Sequence, residues 1–203
     1  MYLKLLIKTT KSIDYYTLKA IKLGLRSRAW FKLDDIQKAD NILKPGMTVV
    51  ELGSNPGGWS EYVLDKIGKQ GSIIACDILP MDNLKGVYFI QGNCFDIATL
   101  EKIYLKTKDS KADVVISDMS PAITGIPSID IPKTIELIKI ALKIGLTILK
   151  PGGSLLVKAF QGERIANIYN KLRTIFNKVN IRTPKASHIF SREAYIVAKE
   201  IGL

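Results

Sequence analysis

Cysteine, histidine and long apolar runs are scarce in this sequence. Of its 203 residues two are cysteine, Cys76 and Cys94, and one is histidine, His188. The two cysteines form no C-x-x-C pair and His188 is far from both, so a zinc or redox centre finds little support and a reduced, cytoplasmic protein is expected. No apolar stretch approaches the roughly 18 residues of a membrane span. The apolar Leu5-Leu6-Ile7 near the start is broken by Lys4, Lys8 and Lys11 and has no small-residue cleavage pattern, which argues against an export signal. Internal repeats and low-complexity segments are also missing. Acidic residues are comparatively few, 19 against 30 basic ones.

What is present suits one globular domain with a sizeable core: 47% hydrophobic and 24% charged residues. The formal net charge is +11, and its distribution says more than its size. Residues 1–44 hold 10 basic and 4 acidic side chains, 158–203 hold 9 and 3, and 45–157 hold 11 and 12. The excess lies at both ends. If the ends share one side of the fold, they make a basic face suited to a polyanion, nucleic acid first. A lysine-rich solvated surface is the plainer alternative, but a compositional bias would have charged the middle as well.

Residues 1–13 show no periodicity. Asp14 is placed to cap a helix carrying Tyr15, Leu18 and Ile21 and stopping at Gly24. A segment of three cations and two aromatics follows, Leu25-Arg26-Ser27-Arg28-Ala29-Trp30-Phe31-Lys32-Leu33, with helical spacing through Ile36 and Ile42 to a stop at Lys44-Pro45-Gly46. Strands are predicted at 47–52, 72–76, 87–91, 112–117, 154–160, 178–182 and 195–199. Helices are predicted at 131–149 and 163–176, with a turn at Pro151-Gly152-Gly153. This alternation argues for an α/β fold with a doubly wound, mostly parallel sheet.

The first strand runs into Gly53-Ser54-Asn55-Pro56-Gly57-Gly58-Trp59-Ser60, where helical spacing resumes. Its spacing is neither the dinucleotide G-x-G-x-x-G nor a P-loop, which would need Lys-Ser or Lys-Thr after the glycines. In open α/β sheets ligands bind beyond the carboxyl ends of the strands. Those ends carry the glycine loop, Asp77, Asn93 and Asp118. An acidic residue about 20 positions past the loop can accept bonds from a ribose diol, so the set points to a nucleoside-bearing cofactor.

These residues also resemble the RrmJ/FtsJ ribosomal RNA methyltransferases from about Gly24 to Lys199. The resemblance rests on Ser27-Arg28-Ala29-Trp30-Phe31-Lys32-Leu33, Pro56-Gly57-Gly58-Trp59-Ser60, Ala75-Cys76-Asp77, Ser117-Asp118-Met119, Pro151-Gly152-Gly153-Ser154, Val157-Lys158 and Ser191-Arg192-Glu193. It implies a Rossmann-like class I S-adenosylmethionine-dependent methyltransferase fold, seven strands with one antiparallel, over a single domain 1–203 with residues 1–24 as a basic extension. It implies methyl transfer from S-adenosylmethionine to a ribose 2′-hydroxyl of a uridine in large-subunit ribosomal RNA, on the subunit, by an expected monomer. Carried over, the catalytic set is Lys32, Asp118, Lys158 and Glu193, and the cofactor contacts are Gly57, Trp59, Asp77, Asn93 and Asp118. The chain departs from the family at Ser54 and Asn55, where small residues are common, at Asn93, where aspartate is frequent, and at His188, in a tail that is usually more basic.

Methyl transfer from a sulfonium needs an oxygen lone pair aligned behind the methyl carbon and somewhere for the hydroxyl proton to go. Lys158 interrupts an apolar strand at the ligand-binding end, and as general base or proton relay it would need its ammonium discharged at least transiently. Burial and Lys32 oppose its charge while Asp118 and Glu193 favour it, and the sequence does not sign that balance. Trp59 serves as cofactor wall or as packing. Arg26, Arg28, Lys185 and Arg192 are expected on RNA phosphates. Two further readings stay open, the same chemistry on a tRNA and an RNA-binding assembly factor without methyl transfer.

Overall fold

The computed structural model describes residues 15–122, 124–161, 163–187 and 192–202. The expected cap at Asp14, the tail histidine His188 and Ser191 lie outside them. Seven strands form one sheet: β1 (Thr48–Leu52), β2 (Ser72–Asp77), β3 (Val87–Gln91), β4 (Ala112–Ser117), β5 (Leu149–Phe160), β6 (Phe176–Arg182) and β7 (Glu193–Ile201). Their order is β3-β2-β1-β4-β5-β7-β6. Neighbours are parallel except β7, which runs antiparallel to both β5 and β6. This is the class I methyltransferase fold.

Side chains alternate across a strand, and the core divides accordingly. Val50, Val115, Leu155 and Ile196 face α4 (Ile97–Thr107), α5 (Pro127–Ile148) and α6 (Glu163–Arg173). Their sequence neighbours Val49, Val114, Leu156 and Val197 face α2 (Ala29–Asp40) and α3 (Gly58–Ile67). A shorter helix, α1 (Tyr15–Lys22), packs Ala20 against Phe31 of α2 and Ala186 of the β6–β7 connection.

Several boundaries differ from those read off the sequence. Helix α2 ends at Asp40 because Asn41 adopts φ +49° and donates its amide to the Gln37 carbonyl, the left-handed exit favoured at glycine or asparagine. Ile42 and Leu43 are buried beyond the helix. Helix α5 starts earlier, at Pro127, where a missing N–H costs nothing. Helix α6 stops at Arg173 and Phe176 already opens β6. The predicted turn at Pro151 lies within β5 as an irregularity: Ala112 pairs with Leu149 but Val114 with Ser154, around Gly152 at φ +76°. Strand β7 begins at Glu193, placing that residue on the sheet.

Candidate active site

The register aligns the ends of the central strands. Cys76, Leu52, Ser117 and Val157 are successive partners across β2, β1, β4 and β5. Asp77, Gly53, Asp118 and Lys158 therefore follow in one row at the carboxyl ends. The Gly53 amide donates to the Cys76 carbonyl at 2.8 Å and the Asp118 amide to the Leu52 carbonyl at 3.1 Å. Gly53 holds φ +78°, and a Cβ there would stand 2.8 Å from the Met119 backbone nitrogen. Only glycine fits. Gly57, at φ +102°, caps α3.

Lys158, Tyr195 and Glu193 share the face covered by α2, because Lys158 pairs with Tyr195 and Phe160 with Glu193. Lys32 reaches the same spot from α2. Its Nζ lies 2.6 Å from Glu193 Oε2, while Lys158 Nζ lies 2.5 Å from Glu193 Oε1 and 3.2 Å from Asp118 Oδ1. The four residues predicted as the catalytic set thus form one chain of ion pairs. Sequence reasoning passed over Tyr195, whose hydroxyl donates to Asp118 Oδ1 at 2.8 Å and approaches Glu193 Oε1 at 3.4 Å. Its one signal was the spacing of two from Glu193, which puts both on one face of a strand.

Burial pushes the Glu193 carboxyl up, but Lys158 and Lys32 outweigh it and hold it at about 2. For Lys158 burial acts to discharge the ammonium, yet Asp118 and Glu193 together raise its pKa above the ordinary lysine value. The balance left open by the sequence falls on the charged side, so a standing neutral amine is not what this site holds. Burial and the same two carboxylates keep the Tyr195 phenol protonated.

The cofactor-side residues are partly rearranged. Asp77 sits at the end of β2, its carboxylate accepting the Asn55 amide and the Leu79 amide, each at 2.8 Å. Asn93 Oδ1 accepts from the Phe95 amide at 3.0 Å. The Trp59 ring, left open between cofactor wall and packing, has the surroundings of packing. It is 2% exposed, donates its indole N–H to the Ala29 carbonyl at 2.9 Å and packs 5.7 Å from the Tyr195 ring. It is a core side chain joining α3 to α2, so only its backbone amide, in the first turn of α3, is left to offer a cofactor. Arg26, expected on RNA phosphates, directs its guanidinium to the carbonyls of Pro56, Asp82 and Asn83. Cys76 and Cys94, unpaired in sequence, meet with sulfurs 3.7 Å apart. Among the described residues no cluster of three or more His, Cys, Asp or Glu could hold a metal ion.

A protein-family model described as FtsJ-like methyltransferase matches residues 25–201. The chain belongs to the FtsJ-like methyltransferase family. Among solved structures it is similar to a Plasmodium falciparum protein described as a ribosomal RNA methyltransferase, with 27% identity and a TM-score of 0.79 over 87% of this chain and 98% of that one. A Clostridium thermocellum protein described as an rRNA methylase shares the fold, with 18% identity and a TM-score of 0.55 over 83% of this chain and 97% of that one.

FtsJ-like methyltransferases use S-adenosylmethionine, and the residues of this family member fit an adenosyl group. Asp77 can accept from a ribose diol. The side chains of Ile78, Leu79 and Phe95, next to Asp77 and Asn93, are exposed apolar groups suited to a base. A recess of about 460 Å³ between α4 and the end of α5 lies at the opposite ends of the strands and contains none of these residues.

Proposed function

We propose that this FtsJ-like methyltransferase methylates a ribose 2′-hydroxyl of a uridine in large-subunit ribosomal RNA, acting on the ribosomal subunit. The observation that carries the reading is the chain of ion pairs Lys32–Glu193–Lys158–Asp118 beside the glycine turn. Similarity to the Plasmodium falciparum protein described as a ribosomal RNA methyltransferase favours ribosomal RNA over tRNA. Bound S-adenosylmethionine supplies an electrophilic methyl group. Gly57, Asp77, Asn93, Asp118 and the Trp59 backbone amide hold it.

The protein's own task is to orient the hydroxyl and take its proton. Fixed strand ends do the first, since in-line placement removes much of the barrier. For the second, Lys158 acts as a relay: it passes one proton to Asp118 as it takes the hydroxyl proton, so no free amine is stored. Glu193 holds both lysines in place, and Lys32 steers the hydroxyl or a neighbouring phosphate.

The test is incubation with labelled S-adenosylmethionine and, separately, large ribosomal subunits, naked ribosomal RNA and tRNA, followed by mapping of the label. Label on a uridine ribose of large-subunit RNA is expected. Label confined to tRNA would move the substrate, and RNA binding with no label in any arm would leave an assembly factor.

A further inference from the structure

Arg26 stands in the basic segment between α1 and α2, where its sequence context assigns it to RNA. Its surroundings do not match that assignment. Nη1 donates to the Asp82 carbonyl at 2.8 Å and to the Pro56 carbonyl at 3.3 Å, and Nη2 donates to the Asn83 carbonyl at 2.8 Å. Its backbone amide donates to Glu61 of α3 at 3.1 Å. A guanidinium is a rigid planar fork with several donors, and here the fork bridges two segments that share no strand pairing. One is the glycine turn, through Pro56. The other is the lip that follows Asp77.

A second side chain ties the same two segments. Asn55 Nδ2 donates to the Pro80 carbonyl at 2.7 Å, and the Asn55 amide donates to Asp77. The Asn55 side chain thus shapes the lip as well as the polarity of the loop. The fit is close: a Cβ on Gly57 would meet Arg26 Cδ and Met81 Sδ, each at 3.0 Å. To grasp a phosphate, Arg26 would have to release all three carbonyls.

We propose that Arg26 is a positioning residue for the cofactor, clamping the lip 80–83 onto the glycine turn so that Asp77 and its neighbours are set for the adenosyl group. The inference rests on the cofactor site proposed above. Lysine keeps the charge but cannot reach the Pro56, Asp82 and Asn83 carbonyls together, so charge and clamp are separable.

The experiment measures S-adenosylhomocysteine binding by calorimetry and RNA binding across a salt series, for the wild type, Arg26→Lys, Arg26→Ala and Asn55→Ala. Arg26→Lys is expected to weaken S-adenosylhomocysteine about tenfold, the loss that goes with charge-assisted hydrogen bonds, with RNA affinity and salt slope unchanged. KM for S-adenosylmethionine should rise by a similar factor while kcat at saturating cofactor stays within about twofold, a split that general loosening of the fold would not produce. Asn55→Ala should move cofactor binding the same way, and it carries the test with Arg26→Lys if Arg26→Ala does not fold. Cofactor affinity unchanged in Arg26→Lys overturns the proposal, as does an RNA defect in Arg26→Ala that lysine restores. A wild type that binds no S-adenosylhomocysteine would instead overturn the cofactor site itself.

Discussion

Lys158 is held between burial, which would discharge it, and two carboxylates, which keep it charged. Truncating it leaves Asp118 and Glu193 facing each other without the cation between them. Lys158→Ala is therefore expected to lower kcat by about 10²- to 10⁴-fold, the range for loss of a proton-transfer group, with little change in S-adenosylhomocysteine affinity. Lys158→Arg should be nearly as slow, because it keeps the charge but cannot hand on a proton. Near-normal turnover of either with saturating RNA and cofactor would remove Lys158 from the chemistry. Glu51 carries a pH prediction of its own. It is 1% exposed at the end of β1, and burial, against a 2.5 Å hydrogen bond from Ser60, lifts its pKa to about 8. A carboxyl raised above its unfolded value of 4.5 stabilises the fold fully below that value and loses the contribution as pH rises through about 8. Stability should fall by a few kcal/mol, on the order of 1.4 per pH unit, over that window in the wild type and not in Glu51→Gln, as denaturant melts at pH 6 and pH 9 would read. Glu193 has the opposite sign: its contribution is present above about 4.5 and is lost as pH falls through about 2. At this scale the sequence was legible where chemistry interrupts a local pattern, as Lys158 interrupts an apolar strand. It was not legible for Lys32 and Glu193, which are 161 positions apart and which only a family resemblance brought together, nor for Trp59, whose place beside the loop said nothing of which way its ring turns.

Helix α2 carries Lys32 to the site, so whatever docks α2 sets that contact. The dock is Asp40 at its last turn, buried, accepting from Arg182 Nε at 2.7 Å, Arg182 Nη2 at 2.8 Å and Asn180 Nδ2 at 3.0 Å. Lys199 adds a bond to the Asp40 carbonyl at 2.8 Å. Strands β6 and β7 thus fasten the helix that supplies a residue of the tetrad. Asp40→Ala should destabilise the protein by about 1 kcal/mol, the loss of hydrogen bonds whose donors are half-exposed and can turn to water, and should lower kcat more than it raises the KM for cofactor. Thermal melts with steady-state kinetics check both, and an unchanged Tm would show the dock to be idle. Element type was largely readable from sequence because the ends of the first four strands are marked by glycine, aspartate or asparagine and each apolar run keeps its period. The ends of α2 and α6 were not, since both segments stay apolar past the helix: Ile42 and Leu43 after α2, and Phe176 after α6, are core residues that continue the pattern without continuing the helix. The antiparallel direction of β7 was likewise invisible to periodicity; the resemblance implied one antiparallel strand without naming it.

Charge acts over the whole molecule, and the fold brings the two basic ends of the chain together. The Lys185 amide donates to Asp35 of α2 at 2.8 Å, Ala186 packs with Ala20 and Phe31, and Arg182 reaches Asp40. The conditional drawn from sequence, that both ends share one side of a neutral core, therefore holds in part: the β6–β7 connection meets α1 and α2, whereas α6, with Lys171 and Arg173, covers the opposite face of the sheet. Lys22 on α1, Lys185 and Arg192 are exposed on these segments, and Lys19 is half-buried. Counterion release makes the logarithm of RNA affinity fall linearly with the logarithm of salt, with a slope proportional to the phosphates neutralised. Lys185→Ala and Arg192→Ala should each reduce that slope by about 0.7 on single-stranded RNA or about 0.9 on a duplex, and weaken binding about equally across RNA sequences, because phosphate contacts position without specifying. Cofactor affinity should not move in either variant. Arg26→Ala should show the reverse, a cofactor defect with the salt slope intact, so one salt series sorts the cations of this face into those that hold RNA and the one that shapes the cofactor lip. A slope unchanged in both Lys185→Ala and Arg192→Ala would mean that RNA lies elsewhere on the molecule.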